Sequence, residues 1–249
     1  MRIVRAVALG LVVCGAAASG CAGGSGWFRQ YEYEEDVYLS LDGTATVYVN
    51  SSIPALDALR GADFDPSPRV RVDRDAVRRF YTTPRTRVTS INESRRSGRR
   101  FVHVRLDVDD IRRLGETPPF AWSAYDLRLD TDQYIYRQAV GAAAGKPGSP
   151  DWTGREIVAF RLHLPSRIEY HNAGPNNLKR GNILVWEQPL GDRLRSVPLV
   201  FDARMRTQSI LYSALSLFAL TCLAVAAMFG IVIVWVRRAG RSAEAGRAG

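Results

Sequence analysis

Cysteine is almost absent where it would matter. The 249-residue chain has three, Cys14, Cys21 and Cys222. None lies between Ala22 and Thr221, so the long middle region contains no disulfide. A domain of about 187 residues there, Ala22 to Gln208, has to be held by its own core, and that length is enough for one.

Histidine is equally scarce, at three residues: His103, His163 and His171. His163 and His171 flank a proline and could converge across a bend. Zinc, however, takes three or four ligands backed by second-shell partners. Neither cysteine nor an H-E-x-x-H spacing supplies the remainder, so no metal and no other cofactor is expected. A G-x-S-x-G elbow is missing, as are a P-loop and a dinucleotide-binding fingerprint. Asp109-Asp110 and Asp130-x-Asp132 read as a helix start and a loop, not as paired glycosidase carboxylates. No catalytic residue is assigned. Internal repeats and coiled-coil heptads are also lacking.

Lysine is rare too, two against 32 arginines, for which a GC-rich genome is the economical account. The formal charge of +9 must be partitioned before it is interpreted. Arg2 and Arg5 lie at the start, and Arg237, Arg238, Arg241 and Arg247 at the end with Glu244. The region between has 28 basic and 24 acidic residues. Most of the basicity therefore sits at the two ends, which speaks for membrane topology and against nucleic acid as a partner.

At the N-terminus a basic start precedes an apolar run from Ala6 to Cys14 and then small residues. This is the layout of a secretory signal over 1–20, too short to span a bilayer. Two cleavage sites compete in "AAASGCAGG". Ala16-Ala17-Ala18 offers an A-x-A site, whereas Ala18-Ser19-Gly20-Cys21 resembles the lipobox of bacterial lipoproteins and makes Cys21 the candidate lipidation residue. Ala18 stands where a lipobox most often has Leu. Cys14 fails the same test because Val13 is too bulky.

A second apolar segment has no charge for 27 residues, Ile210 to Val236. At 1.5 Å per residue this is about 40 Å of helix, enough to cross a membrane with tilt. Tyr212 and Trp235 sit where amphipathic rings favour the interface, and the arginines that follow place the C-terminus inside. The expected plan is a signal at 1–20, an extracytoplasmic domain at 21–208, a transmembrane helix at 209–236 and a cytoplasmic basic tail at 237–249, in a bacterial cytoplasmic membrane.

The domain reads as α+β: an antiparallel sheet with two or three short helices on one face. "EEDVYLSLDGTATVYVN" alternates on both sides of Asp42-Gly43, a hairpin signal. A two-residue turn would oppose the two apolar faces, so Leu41 is expected to pair with Ala45. Short helices are expected from Pro54 to Gly61, after Asp73 with Val77 and Phe80 inward, and after Asp107 or Asp109. Alternation at 101–108 sets Val102, Val104, Leu106 and Val108 on a buried face. "GAAAGKPGSPDWTG" reads as an exposed loop, and the last third as closely spaced strands.

Two features suggest contact with other molecules. In "RRSGRR", Arg95, Arg96, Arg99 and Arg100 crowd one expected hairpin tip and form a candidate site for lipid or polymer phosphates; a solvated loop is the competing account. The aromatic residues Trp122, Tyr125, Tyr134, Tyr136, Phe160, Tyr170 and Trp186 are spread over strands where they could line a lipid or sugar pocket or simply pack the core.

The block "LPSRIEYHNAGPNNLKRGNILVWEQP" is similar to the closing part of mycobacterial LppM-like lipoprotein domains, through Leu164, Pro165, Asn172, Gly181, Asn182 and Trp186. Ser166 departs from that pattern, which usually has Gly. The resemblance implies an envelope lipoprotein that meets lipids or lipoglycans and carries over no catalytic residues. The expected function is thus a membrane-anchored, non-catalytic binding module. Its partners would be membrane lipid and a lipid or glycan ligand or another envelope protein. The alternatives are a structural subunit of a membrane complex, for which Ser213, Ser216, Ala219 and Gly230 are a sign, and an envelope hydrolase.

Overall fold

The computed structural model describes residues 29–145 and 152–245. Cys21 and the signal segment 1–20 lie outside the described residues, as do the last four residues of the tail. The fold belongs to the unit that begins at Tyr31. It is α+β, built on two sheets.

The larger sheet contains β1 (Gln30–Leu39), β2 (Ala45–Ser52), β3 (Thr86–Arg96), β4 (Arg99–Val108), β7 (Glu156–His163), β9 (Leu178–Lys179) and β10 (Ile183–Pro189), in the order β3-β4-β2-β1-β7-β10-β9. The smaller sheet contains β5 (Ser123–Asp130), β6 (Gln133–Val140), β8 (Ser166–His171) and β11 (Leu199–Ser209), in the order β5-β6-β11-β8. The expected α+β fold with antiparallel pairing is present, and one junction adds a parallel neighbour. At one end of the β1/β7 pair Arg99 bridges Glu32 and Glu156, and at the other Tyr38 stacks on His163. Neighbours that match in this order run the same way, so the larger sheet is mixed. The chain can join parallel strands because five strands and two α-helices separate β1 from β7.

The β1–β2 register differs from the expected one by two residues. Leu39, not Leu41, faces Ala45, and Val37 faces Val47. The shift is even, so the apolar faces still align. Asp42 closes the wider loop by accepting from the Thr44 N–H and hydroxyl. Gly43 adopts φ +93°, which glycine tolerates without strain.

Helix α1 (Ile53–Arg60) starts where Ser52 accepts from Ala55 N, has Pro54 in its first turn and ends on left-handed Gly61. It buries Ile53, Leu56 and Leu59. In α2 (Arg74–Tyr81) Asp73 caps Asp75 N and Ala76 N, and the buried residues are Val77 and Tyr81, with Phe80 only partly buried. Asp110, not Asp107 or Asp109, caps the next element. Asp107 and Asp109 lie in or next to the end of β4. That element, Ile111–Glu116, is a 3₁₀ helix, and a second, Pro118–Phe120, follows. Both α-helices pack on the inner face of the larger sheet, in one core with Val102, Val104 and Leu106 and with the inner face of the smaller sheet (Tyr136, Phe201, Met205). A short helix α3 (Leu190–Leu194) follows β10. The stretch at 141–145 is not a free loop: Ala144 and Gly145 donate to the last carbonyls of α1, Leu59 O and Ala58 O. These are carbonyls that a helix end otherwise leaves without intrahelical partners.

From Ser209 the chain continues directly into α4 (Ile210–Ala245), whose first 26 residues, to Trp235, are long and apolar enough to cross a membrane. All the side chains of Ile210–Trp235 are exposed, so this stretch is not a core helix.

Candidate functional site

Among the described residues, no helix or second sheet covers the outer face of the larger sheet. It presents Tyr38, Tyr48, Asn50, His103, Arg161 and His163, with Glu34 and Asp36 between them. Tyr38 is 43% exposed. Its ring stacks on His163 at 3.8 Å and meets Tyr48 edge-on at 5.4 Å. Arg161 Nη1 is held at 2.7 Å from Glu34 and 3.1 Å from Asp36. Burial works to lower the Arg161 pKa, but Asp36 and Glu34 outweigh it and keep the guanidinium firmly charged. Partial burial pushes the His163 imidazole below its ordinary range, with Arg161 and Arg180 adding repulsion. His103 is held between Asn50 Oδ1 (3.0 Å) and Ser94 Oγ (2.8 Å), and burial lowers its pKa as well. This face is aromatic and polar, and it offers donors and acceptors beside the exposed Tyr38 ring.

The arginine tip does not form one cluster. Ser97 and Gly98 both take positive φ, 51° and 73°, as a two-residue hairpin turn requires, and Arg95 faces Arg100 while Arg96 faces Arg99. Arg100 is buried and donates to Asp65 O. Arg99 is nearly buried and reaches Glu32 at 2.9 Å and Glu156 at 3.7 Å. Arg96 donates to Tyr31 O and covers the Phe101 ring, which explains how an outward-facing Phe is buried. Arg95 and Arg96 are both exposed, Arg96 being held along the surface by those contacts. Adjacent strand residues point to opposite faces, so four arginines around one turn are divided between core contacts and surface. The tip also lies at the far end of the sheet from α4. β4 runs away from it for ten residues, about 30 Å at strand rise, to the end where Leu39 and His163 finish β1 and β7. There Pro165 O accepts from Ile210 N, the first residue of α4.

Most of the strand aromatics belong to the core. Tyr136, Phe160, Trp122, Tyr125 and Trp186 are buried, Tyr134 is partly buried, and Tyr170 is exposed beneath Arg204. The gap lined by Glu35, Phe160, Trp186 and Phe201 has no room for a water-sized sphere. His163 and His171 end in different sheets, and among the described residues no three His, Cys, Asp or Glu side chains are grouped to hold a metal.

Sequence reasoning missed a buried polar network inside this core. Glu35 and Arg60 are both almost fully buried and paired. Glu35 also accepts from Tyr33 (2.8 Å), Tyr125 (3.2 Å) and Gln138 (3.4 Å). The Arg60 guanidinium lies 3.8 Å from the Trp122 ring centre and donates to Pro119 O at 2.7 Å. Burial raises the Tyr33, Tyr125 and Tyr136 hydroxyl pKa values far above normal, so all three remain donors. The only signal in the sequence was Glu35 on the same alternation phase as Val37 and Leu39.

The residues of the closing motif form a joint between the sheets. Asn172 Oδ1 accepts from Trp186 Nε1 (3.1 Å) on β10 and Asp202 N (3.0 Å) on β11, and its amide donates to Val200 O at 2.8 Å. Asn182 donates to Leu164 O while its own carbonyl accepts from Leu164 N. Gly181 sits at φ +78° in the turn before β10.

No family model and no curated protein matches the chain. Among solved structures it is similar to the folded domain of LppM from Mycobacterium tuberculosis, at 11% identity and a TM-score of 0.40, over 76% of this chain and 98% of that one. It is also similar to an aminopeptidase N family protein from Idiomarina loihiensis, at 14% identity and a TM-score of 0.29, over 69% of this chain and 29% of that one.

Proposed function

We propose that the chain is a bacterial envelope lipoprotein, acylated at Cys21 and anchored by α4, whose extracytoplasmic domain binds the glycan portion of an envelope lipoglycan on the open face of its larger sheet. The observation that carries this reading is the exposed Tyr38 ring stacked on His163 beside Tyr48 and the Arg161–Glu34–Asp36 group. Rigid aromatic faces next to fixed hydrogen-bonding groups suit a sugar ring, which has an apolar face and a polar rim. The gap among Glu35, Phe160, Trp186 and Phe201 has no room for an acyl chain, which favours a surface site over a cavity there. The lipoprotein reading draws on the "SGC" cleavage motif and on the motif at 164–186. The helix and the arginines after it support a domain outside and a tail inside. The domain acts by binding, without catalysis.

Full-length protein in zwitterionic nanodiscs, titrated with deacylated lipoglycan by calorimetry, tests the reading. The double variant Tyr38→Ala/Tyr48→Ala should weaken binding about tenfold, the equivalent of about 1.4 kcal/mol. Equal affinity of variant and parent, or no binding by either, would remove the sheet face as the site.

A further inference from the structure

No loop separates the domain from α4. β11 ends at Ser209 and the helix begins at Ile210, whose N–H donates to Pro165 O at 2.8 Å. Ser209 Oγ accepts from Tyr212 N at 3.0 Å within the first turn. The 26 residues of Ile210–Trp235 make about 39 Å of helix, against a hydrocarbon core of about 30 Å. With the helix inserted, its first turn and the domain surface around it stand at the level of the lipid headgroups.

Four cations gather round that entry. Arg167 is two residues beyond Pro165 on β8, and Arg206 is four residues before Ile210 on β11. Lys179 and Arg180 belong to the turn before β10. Asn182 fastens that turn to the entry by exchanging two hydrogen bonds with Leu164, the neighbour of Pro165. All four side chains are exposed. Arg206 pairs with Glu169 at 2.7 Å, and Lys179 reaches only the Asn176 carbonyl. Among the described residues no carboxylate forms an ion pair with Arg167, Lys179 or Arg180. The acids at this end sit on the other side: Asp42, Asp109 and Asp110 beyond β7 in the larger sheet, Asp130 and Asp132 beyond β11 in the smaller. Leu178, next to Lys179, is 39% exposed.

The turn itself adds an independent observation. Arg180 and Gly181 both take positive φ, 51° and 78°, as the central pair of a tight turn does. Asn or Asp at the first of these positions would be less strained, so a cation is held there against backbone preference.

We infer that this flank binds the headgroups of anionic phospholipids in the leaflet that α4 enters. Arg167, Lys179 and Arg180 meet the phosphates, and Leu178 meets the apolar boundary beneath them. The inference rests on α4 spanning the membrane and is independent of glycan binding on the sheet face.

The test is phenylglyoxal footprinting of arginines on the full chain, read by peptide mass spectrometry, in nanodiscs of phosphatidylcholine with and without phosphatidylglycerol. Co-elution of chain and discs reports insertion of α4, and labelling reports the patch. Arg167 and Arg180 should label about fivefold more slowly in the anionic discs, the equivalent of about 1 kcal/mol per cation at such a surface. High salt should remove the difference, and Arg95, at the far end of the sheet, should label equally in both. Lys179→Gln/Arg180→Asn suits the turn and should cut the protection of Arg167 to under about twofold. Equal labelling of Arg167 and Arg180 in the two discs, unchanged protection in the double variant, or the same protection by inorganic phosphate in phosphatidylcholine discs would overturn the inference. A chain that does not co-elute with discs would refute the anchor, and the inference with it.

Discussion

The Tyr38 and His163 rings lie 3.8 Å apart and 15° from parallel, on neighbouring strands that run in the same direction. The contact works with a neutral imidazole, and burial, Arg161 and Arg180 all oppose its protonation. The folded-state pKa is therefore below that of the unfolded chain. As pH falls through the ordinary histidine range the unfolded state takes up the proton first, and stability drops until the folded pKa is passed. Thermal unfolding should accordingly occur at lower temperature at pH 5.5 than at 7.5. His163→Gln should narrow that difference without abolishing it, because burial lowers His103 in the same sense. An unchanged difference would show that the stack does not carry the pH dependence.

Glu35 and Arg60 illustrate the cost of half a buried pair. Glu35→Ala leaves the guanidinium buried and uncompensated and should destabilise the domain by about 3–5 kcal/mol. The double replacement Glu35→Leu/Arg60→Met removes both charges and should recover most of that loss in denaturant titrations. A double variant as unstable as the single one would mean that the tyrosine and glutamine bonds, not charge pairing, dominate.

Asn172 ties β10 to β11 through three side-chain hydrogen bonds. At about 1 kcal/mol net for each bond, Asn172→Ala should lower unfolding stability by about 2–3 kcal/mol. It should also shift Trp186 fluorescence. A loss under about 0.5 kcal/mol would leave the joint without energetic weight.

The turn arginines should separate by burial. Arg99→Gln removes the cation facing Glu32 and Glu156 and should lower the melting temperature. Arg95→Gln should leave melting unchanged. If the tip meets phosphates of a surface polymer, Arg95→Gln/Arg96→Gln should weaken binding to a polyphosphate resin at low salt, with the difference shrinking as salt screens it. Identical elution of parent and variant would return the tip to a structural role.

Attachment should rest on α4. One acyl group gives marginal membrane binding, whereas a spanning helix is effectively permanent. Cys21→Ser should therefore stay in the membrane fraction, and truncation after Gln208 should make retention depend on Cys21. The intact mature chain should have the mass of an acylated protein starting at Cys21; an unmodified start at Ser19 would exclude lipidation. Protease added to spheroplasts should remove the domain and spare a tag after Gly249, and the reverse pattern would invert the topology.

What the sequence determined by itself is whatever depends on near neighbours in the chain. A helix long and apolar enough to cross a membrane follows from 27 uncharged residues in a row. Pro54, Gly61 and Asp73 mark helix ends because capping is decided within one turn. Alternation at Val37–Leu39 and Val102–Val108 identifies inward faces because the strand period is two.

Tertiary structure decided what depends on which distant segment arrives opposite. Alternation assigns a side chain to a face but does not name its partner. Glu35 therefore looked like any acid in "EYEEDV" until β1 placed it across from Arg60 on α1. Arg99 and Arg100 looked solvated until Glu32, Glu156 and Asp65 O came within reach. The parallel β1–β7 junction is likewise invisible locally, since more than a hundred residues separate strands whose direction only the assembled sheet defines. The open face arises in this way, from the meeting of Tyr38 with His163.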